Sequence, residues 1–328
     1  MRLLDKLEPI LLILAVGLGL FLSRFPDISP YASKLVSPFL TVMLFGLFWE
    51  APLKDLGKSF AKYRFTVVAI IINFIWTPIF AWLLTEIFMP HNALLGLGFF
   101  LLLITPCTDW FLVFTGVAKG NVPLSLAILP LNLFLQIILM PFYIFAFSGS
   151  WGGANVLLLA KSAVIVLLIP LAVSKILKFA LKGLGPVARA LEKTVVKRQF
   201  LWLWLAIAAM FASERIIEPG KLGVFIQILA PTLTFFIVTF FLAHVVARTL
   251  FYSYEDYVSL AFTTLARNSP LSIAFAQQAF PDDRLVLLPL VVGPLVELPV
   301  LALIAQLLLM YWARVVKPKL NRDRRKGR

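Results

Sequence analysis

The sequence predicts an all-α polytopic membrane protein with ten transmembrane helices. Of its 328 residues, 61% are hydrophobic and 14% are charged, and the mean hydropathy is +0.95. These values lie outside the range of soluble globular domains. Apolar stretches recur along the whole chain, and ~20 residues suffice for a helix to cross the hydrocarbon core. The chain is therefore predicted to form a single transmembrane unit with little room for a second domain.

The predicted helices follow the apolar stretches in chain order. They lie at about residues 9–22, 35–49, 65–88, 92–118, 121–147, 154–173, 200–213, 222–247, 256–280 and 285–313. The first is predicted to be a retained helix and not a signal peptide, because no convincing cleavage site follows it.

The positive charges predict the orientation of the chain. If the amino terminus lies inside, the inward connections hold 23 Lys and Arg residues and the outward connections hold five. This bias follows the positive-inside rule and predicts a plasma-membrane protein with both termini in the cytoplasm. The net charge of +14 is typical of nucleic-acid binders, but the basic tail at residues 317–328 is better interpreted as an anchor against anionic lipid. No nucleic-acid partner is predicted.

Two prolines recur at a fixed spacing. Pro106 in segment four and Pro270 in segment nine are 164 residues apart. The same spacing separates Pro130 in segment five from Pro294 in segment ten. Five segments in each half reverse the direction of the second copy, which predicts inverted repeats at about residues 1–150 and 151–316. Segments four and nine would then be broken helices that cross. Proline kinks that serve only packing are the alternative.

Segment four is interrupted by Thr105-Pro106-Cys107-Thr108-Asp109. Because proline removes a backbone donor, the helix is predicted to stop near Ile104 and to restart with Thr105 as its cap. Broken helices in lipid commonly mark transporter sites. Cys107, the only cysteine of the chain, is either a small apolar side chain or a soft, exchangeable ligand for a thiophilic solute. We adopt the second interpretation, with Thr108 supplying a hydroxyl.

Asp109 and Arg267 place opposite charges at the two breaks. Asp109 follows the first break, where a helix amino terminus favours an anion, and Arg267 precedes the second, where a carboxyl terminus favours a cation. A charge deep in the membrane costs at least ~2.5 kcal/mol unless it is paired or hydrated. We therefore predict that the two pair across the crossing, either as a structural salt bridge or as a pair that also gates transport or contacts the coupling ion or substrate.

Further polar side chains lie inside the predicted helices. Asn132 and Gln136 are spaced i,i+4 on one helical face and either bind substrate or bond neighbouring helices. Asn268 and Ser269 flank the second break and either contact a ligand or cap freed backbone. Glu297 lies between two prolines in an apolar helix. A carboxyl in such a place is a candidate proton carrier, with a hydrogen-bonded structural acid as the alternative.

Three longer stretches carry a family resemblance. They are Pro106-Cys107-Thr108 with Ala118-Lys119-Gly120-Asn121, Leu131-Asn132 through Gln136, and Gly293-Pro294-Leu295-Val296-Glu297-Leu298-Pro299-Val300-Leu301. The sequence resembles the arsenite efflux permeases of the bile acid:sodium symporter superfamily over nearly its whole length. The resemblance implies ten helices in two inverted five-helix repeats, a panel and a core domain, and proton-coupled export of arsenite, sometimes of antimonite. Our hypothesis is that segments three to five and eight to ten form the core and that the other four form the panel. The family's essential cysteine and glutamate fall on Cys107 and Glu297.

Two positions depart from that family pattern. Asp109-Trp110 stand where the family is usually apolar, and Arg267-Asn268 stand where it usually carries paired asparagines. Because arsenite at neutral pH is uncharged, an unpaired arginine suits an organic anion better. Sodium-coupled symport of an organic anion therefore stays open as the alternative, as does a passive channel. No enzyme activity, metal site or cofactor is predicted, because the sequence has no His-rich metal motif, serine elbow or paired carboxylates.

Overall fold

The computed structural model describes residues 3–25, 27–50, 62–108, 110–147, 161, 165, 168–181, 185–213, 222–280 and 284–317. These residues form helices and no β-strand; one isolated antiparallel bridge joins Pro106 to Arg267. The predicted all-α class is confirmed for this part of the chain. The predicted sixth segment, at residues 154–173, lies largely outside it.

Fourteen α-helices are described in chain order. They are α1 (Leu3–Leu22), α2 (Ser29–Glu50), α3 (Tyr63–Ile71), α4 (Thr77–Phe88), α5 (Ala93–Ile104), α6 (Trp110–Val117), α7 (Val122–Phe147), α8 (Ile169–Ala180), α9 (Gly185–Thr194), α10 (Gln199–Ser213), α11 (Leu222–Thr249), α12 (Tyr254–Leu265), α13 (Ser269–Ala279) and α14 (Arg284–Tyr311). A π-helical turn, Ile72–Trp76, joins α3 to α4 in one span, and a second, Trp312–Val316, extends α14.

Five spans are long and apolar enough to cross a membrane without interruption. They are Ser29–Glu50, Tyr63–Phe88, Val122–Phe147, Gly223–Thr249 and Leu285–Val316. The bent pair Gly185–Arg198 and Leu201–Ser213 would be a sixth. The protein is therefore a polytopic membrane protein. The count of ten spans and the inverted repeat stay predictions.

The broken segments lie at the centre of the helical assembly. Every residue from Leu95 to Ile104 in α5 and from Val258 to Leu265 in α12 is buried. A helix that is apolar on all sides is normally enclosed by other helices. Here α4 and α14 pack against α5, while α6, α7 and α11 pack against α12. The exposed apolar side chains lie on the surrounding helices, among them Ile71, Ile79, Phe142, Ile237 and Phe241.

A second group of helices packs beside this one. Helix α10 packs against α1 and α2, and α2 also packs against α8. Helix α13, the second half of the later broken segment, contacts α2. The broken segment therefore lies at the boundary between the two groups of helices.

Gly98 allows α5 and α14 to approach closely. A Cβ atom on Gly98 would lie 2.0 Å from the carbonyl oxygen of Val286, a distance that no side chain can occupy. The backbone of α14 therefore rests directly on α5 here, and farther along α14 Gly293 packs against Leu102, close to the first break. A larger residue in place of Gly98 would separate the two helices.

The stretch Ala118-Lys119-Gly120-Asn121 forms the junction between α6 and α7. Lys119 has a φ of 62°, in the left-handed region. The Asn121 side chain donates to an Asp256 carboxylate oxygen at 2.8 Å and accepts the Leu124 N–H at 3.1 Å. Lys62 pairs with the same carboxylate at 3.1 Å. The residues of this stretch therefore join the start of α7 to the start of α12 and do not contact the crossing.

The π-helical turn at Ile72–Trp76 is held by a hydroxyl from another span. Pro78 has no N–H to donate to the carbonyl of Phe74, which would be its α-helical partner. The Tyr143 hydroxyl of α7 donates to that carbonyl at 2.5 Å instead. The turn buries Ile72, Asn73 and Phe74, and such turns are frequent at functional sites.

Removing the Tyr143 hydroxyl is expected to destabilise the protein. Tyr143→Phe leaves the buried Phe74 carbonyl without its donor, and an unsatisfied buried group costs about 1–3 kcal/mol. The melting temperature in detergent micelles should fall accordingly. Tyr31→Phe is the matched control, because Tyr31 is 72% exposed. Equal melting temperatures for Tyr143→Phe and the wild type would show that the bond contributes nothing.

Candidate functional site

The two breaks lie against each other and exchange backbone hydrogen bonds. The first separates α5 from α6, and the second separates α12 from α13. The Cys107 N–H donates to the Ala266 carbonyl at 3.0 Å, and the Asn268 N–H donates to the Thr105 carbonyl at 2.7 Å. The predicted interruptions are therefore present, and they meet at one crossing.

The predicted restart of the helix at Thr105 is wrong. Thr105 has extended backbone angles and ends α5, and the second half of the segment begins only at Trp110. The pairing with residues 266–268 holds the backbone extended, and the Thr105 hydroxyl bonds the Ser272 hydroxyl at 2.8 Å. Cys107 therefore lies in the crossing itself and not in the first turn of a helix. Asp109, and with it the predicted Asp109–Arg267 pair, lies outside the described residues.

Arg267 is buried and donates to carbonyls at the carboxyl ends of both first half-helices. Its guanidinium bonds the Leu103 carbonyl of α5 at 2.9 Å and the Leu265 carbonyl of α12 at 3.1 Å, and it also bonds the Thr264 carbonyl. A further N–H donates to the side-chain oxygen of Asn73 at 3.2 Å. Unpaired carbonyls at a helix end carry partial negative charge, so a cation there is stabilising.

The Glu297 side chain contacts the main chain of Arg267. Its carboxylate accepts the backbone N–H of Arg267 at 2.8 Å and is 4% exposed. Two prolines flank it in α14, and the packing of α14 on α5 places it at the crossing. The structure therefore brings together Arg267, Glu297 and the backbone of Cys107.

Several predicted site residues are buried without a hydrogen-bond partner among the described residues. Both amide atoms of Asn132 and Gln136, the Asn268 side-chain nitrogen and the Ser269 hydroxyl are in this position. Buried polar atoms in folded proteins are nearly always hydrogen-bonded, and each exception needs an explanation, of which a bound water or ion is one. Asn268 also caps α13, because its side-chain oxygen accepts the Leu271 N–H at 3.2 Å.

A small cavity opens between the two groups of helices at the second break. The space open to the centres of water-sized spheres is about 50 Å³, and about 10–15 Å³ on this measure holds one water molecule. Its wall includes Trp110, Trp204, Arg267, Ser269 and Glu297. The cavity therefore matches a solute of a few heavy atoms and has apolar walls with a few polar groups.

Cys107 and Asn268 do not line this cavity, but Asn268 adjoins Arg267 and Ser269, which do, and Cys107 is bonded to Ala266, the residue before Arg267. Asn132 and Gln136 are on α7, which packs against α6 and α12. The structure thus places some predicted residues around one cavity and others one helix away from it. Their roles in binding stay predictions.

Sequence reasoning missed Asn73 and Trp204. Asn73 donates to the Thr263 carbonyl at 3.2 Å and accepts from Arg267, which makes it part of the crossing. A signal was available, because a buried asparagine in an apolar span needs polar partners. Trp204 reaches the cavity from the other group of helices, and nothing in its local sequence marks it.

Comparison with known proteins identifies the family. A model of the Sodium Bile acid symporter family matches residues 37–217, more than half of the chain. The chain belongs to this family. Its members are membrane transporters of small solutes, so family membership indicates a transporter and not an enzyme.

Three relatives are similar to this member of the Sodium Bile acid symporter family along almost its whole length. The Bacillus subtilis protein YbaS, uncharacterized by name, is 23% identical over 92% of this chain and 96% of its own. The Arsenical-resistance protein Acr3 of Corynebacterium glutamicum is 22% identical over 91% of this chain and 86% of its own. The Arabidopsis thaliana protein named "Probable sodium/metabolite cotransporter BASS4, chloroplastic" is 23% identical over 94% of this chain and 73% of its own.

Proposed function

We propose that the protein exports arsenite, and antimonite as a related solute, by proton-coupled alternating access. The observation that carries the proposal is the crossing, where the only cysteine of the chain and a buried carboxyl flank the paired backbones of two broken helices. The similarity to a protein named for arsenical resistance supports it.

Cys107 supplies the soft ligand in this proposal. Cys107 is 5% exposed and forms no disulfide, and its backbone N–H is bonded to the Ala266 carbonyl. Trivalent arsenic binds sulfur, and one thiol holds it loosely enough for release on the other side. The several sulfurs of a tight binding site would suit storage of arsenic better than its transport.

Uncharged amides and hydroxyls supply the remaining contacts. Arsenite at neutral pH carries three hydroxyl groups, which donate and accept hydrogen bonds. Polar atoms without partners in the described chain are suited to those hydroxyls. On this ground we assign substrate contacts to Asn132, Gln136, Asn268 and Ser269, and we add the Thr108 hydroxyl because it follows Cys107 directly in the chain.

Glu297 carries the proton in this proposal. It is buried at the crossing and accepts one backbone N–H, so gain or loss of its charge changes the local field where the solute binds. A carboxyl that is enclosed in one conformation and hydrated in another exchanges its proton as the site reorients.

Movement would occur between the two groups of helices. The cavity lies between α10 of one group and α13 and α14 of the other, which is where a core moving against a panel would expose a solute. The panel then contains α1, α2 and α8–α10, and both termini lie in the cytoplasm of a plasma-membrane protein. The bilayer is the only large partner in this scheme.

Sodium-coupled symport of an organic anion is the second candidate. The family description and the printed name of the Arabidopsis relative favour it. The two candidates differ in solute, in coupling ion and in direction of transport.

Transport by everted membrane vesicles distinguishes the two. Arsenite, a taurocholate-like anion and short organic acids are offered in turn, with sodium and pH gradients imposed separately. We expect saturable accumulation of arsenite driven by the pH gradient alone. Sodium-driven accumulation of an organic anion would replace this proposal by the second candidate, and flux without saturation or accumulation would indicate a channel.

A further inference from the structure

The carboxyl ends of two half-helices form an oxygen-lined site around one guanidinium. The Leu103 carbonyl comes from α5, and the Thr264 and Leu265 carbonyls come from α12. Asn73 adds its amide oxygen from the π-helical turn. Four neutral oxygens from three segments therefore converge on the Arg267 side chain.

Neighbouring side chains hold these oxygen atoms and the guanidinium in place. Asn73 donates its own N–H to the Thr263 carbonyl at 3.2 Å, which orients its oxygen toward Arg267. The Phe235 ring covers the guanidinium carbon at 5.3 Å and closes the remaining side. A cation over an aromatic face is attracted by the ring. The enclosure is nearly complete, since Arg267 is 2% exposed.

Neutral carbonyl oxygens at half-helix ends are the groups that hold a coupling cation in many secondary transporters. Partial negative charge at the two carboxyl ends needs a positive partner in the low-dielectric interior. Here the partner is covalently attached to the chain, so it cannot be exchanged with the solution.

We propose that Arg267 is a resident cation, which occupies the cation site of the crossing permanently and makes transport independent of sodium. The role of Arg267 in transport rests on the proposed function, in which the proton drives the cycle because the cation site is closed to sodium. The structural part of the inference does not depend on that function. It predicts that removal of the Arg267 guanidinium opens a site for a small monovalent cation.

Thermal unfolding of the purified full chain tests the site directly. Melting temperatures are measured in detergent with NaCl or with choline chloride at equal ionic strength. We expect no difference for the wild type and a saturable increase of several degrees with Na⁺ for Arg267→Ala. The same variant should be stabilised by methylguanidinium, which restores the missing group.

Lys62→Ala is the matched control. Lys62 is a cation at the surface, 53% exposed and paired with Asp256, so its removal should produce no response to Na⁺. A response in this control equal to that of Arg267→Ala would overturn the inference. So would an Arg267→Ala protein that neither Na⁺ nor methylguanidinium stabilises.

If Arg267→Ala does not fold, the melting temperature of the wild type with and without Na⁺ tests the inference. Saturable stabilisation of the wild type by Na⁺ would overturn the inference, and indifference to Na⁺ up to high concentration would support it. Failure of the proposed function looks different. In that case arsenite is not accumulated by wild-type vesicles under any gradient, while the responses of the purified protein to cations are unchanged.

Discussion

Cys107→Ser is expected to abolish arsenite accumulation in everted vesicles. An oxygen in place of sulfur removes the soft ligand, and a loss of at least about 100-fold, equivalent to about 2.8 kcal/mol, should follow. The fold should survive, because serine has nearly the same shape and the backbone bond of residue 107 to Ala266 does not depend on the side chain. The melting temperature provides the check on folding.

A relocated thiol is the control for this variant. Cys107→Ser combined with Ser174→Cys returns one buried thiol to the chain, on α8 and away from the crossing. We expect this double variant to remain inactive. Full accumulation by Cys107→Ser alone would remove the thiol from the mechanism.

Glu297→Gln is expected to uncouple transport from the proton gradient. Glutamine keeps an oxygen that can accept the Arg267 N–H, now 2.8 Å from the carboxylate, but it cannot take up or release a proton at neutral pH. Accumulation driven by an imposed pH gradient should fall to the level of vesicles without the protein. The measurement is arsenite accumulation at several imposed gradients.

Glu255→Gln separates this effect from a general loss of negative charge. Glu255 lies in the first turn of α12, away from the crossing, so the variant should keep its response to the gradient. If the gradient still drives accumulation in Glu297→Gln, another group carries the proton.

The crossing was predictable because its signals are local and repeated. Proline removes a backbone donor and so favours a break in an apolar span, and Pro106 and Pro270, which stand 164 residues apart, each lie at one of the two breaks. The equal spacing also indicated that the two breaks meet. The family resemblance added Cys107 and Glu297 as the residues to examine first.

The conformation within the crossing was not predictable from the same signals. Local sequence favours a capped helix start at Thr105-Pro106, whereas the structure extends this stretch through bonds to residues 266 and 268. Pairing over such a separation is decided by tertiary structure. Asn73 was missed for a related reason, since its partners lie on α12 and its orientation depends on a π-helical turn.

The partners of Arg267 also required the structure. Sequence alone offered the nearest opposite charge, and an ion pair was the simplest prediction. The structure gives the guanidinium several carbonyls, which only the assembled helix ends can present, while the pair with Asp109 stays a prediction. In a membrane interior, dipoles at helix ends can therefore compensate a charge in the way that a carboxylate would.

Two of the bonds that join the breaks, from Cys107 to Ala266 and from Asn268 to Thr105, run between main-chain atoms. Any residue other than proline at positions 107 and 268 retains the N–H that these bonds need. This pairing of the two breaks is thus independent of which side chains stand at positions 107 and 268. Selection could replace side chains there to admit a new solute or ion while the scaffold stays intact, which gives this architecture a physical basis for diversification.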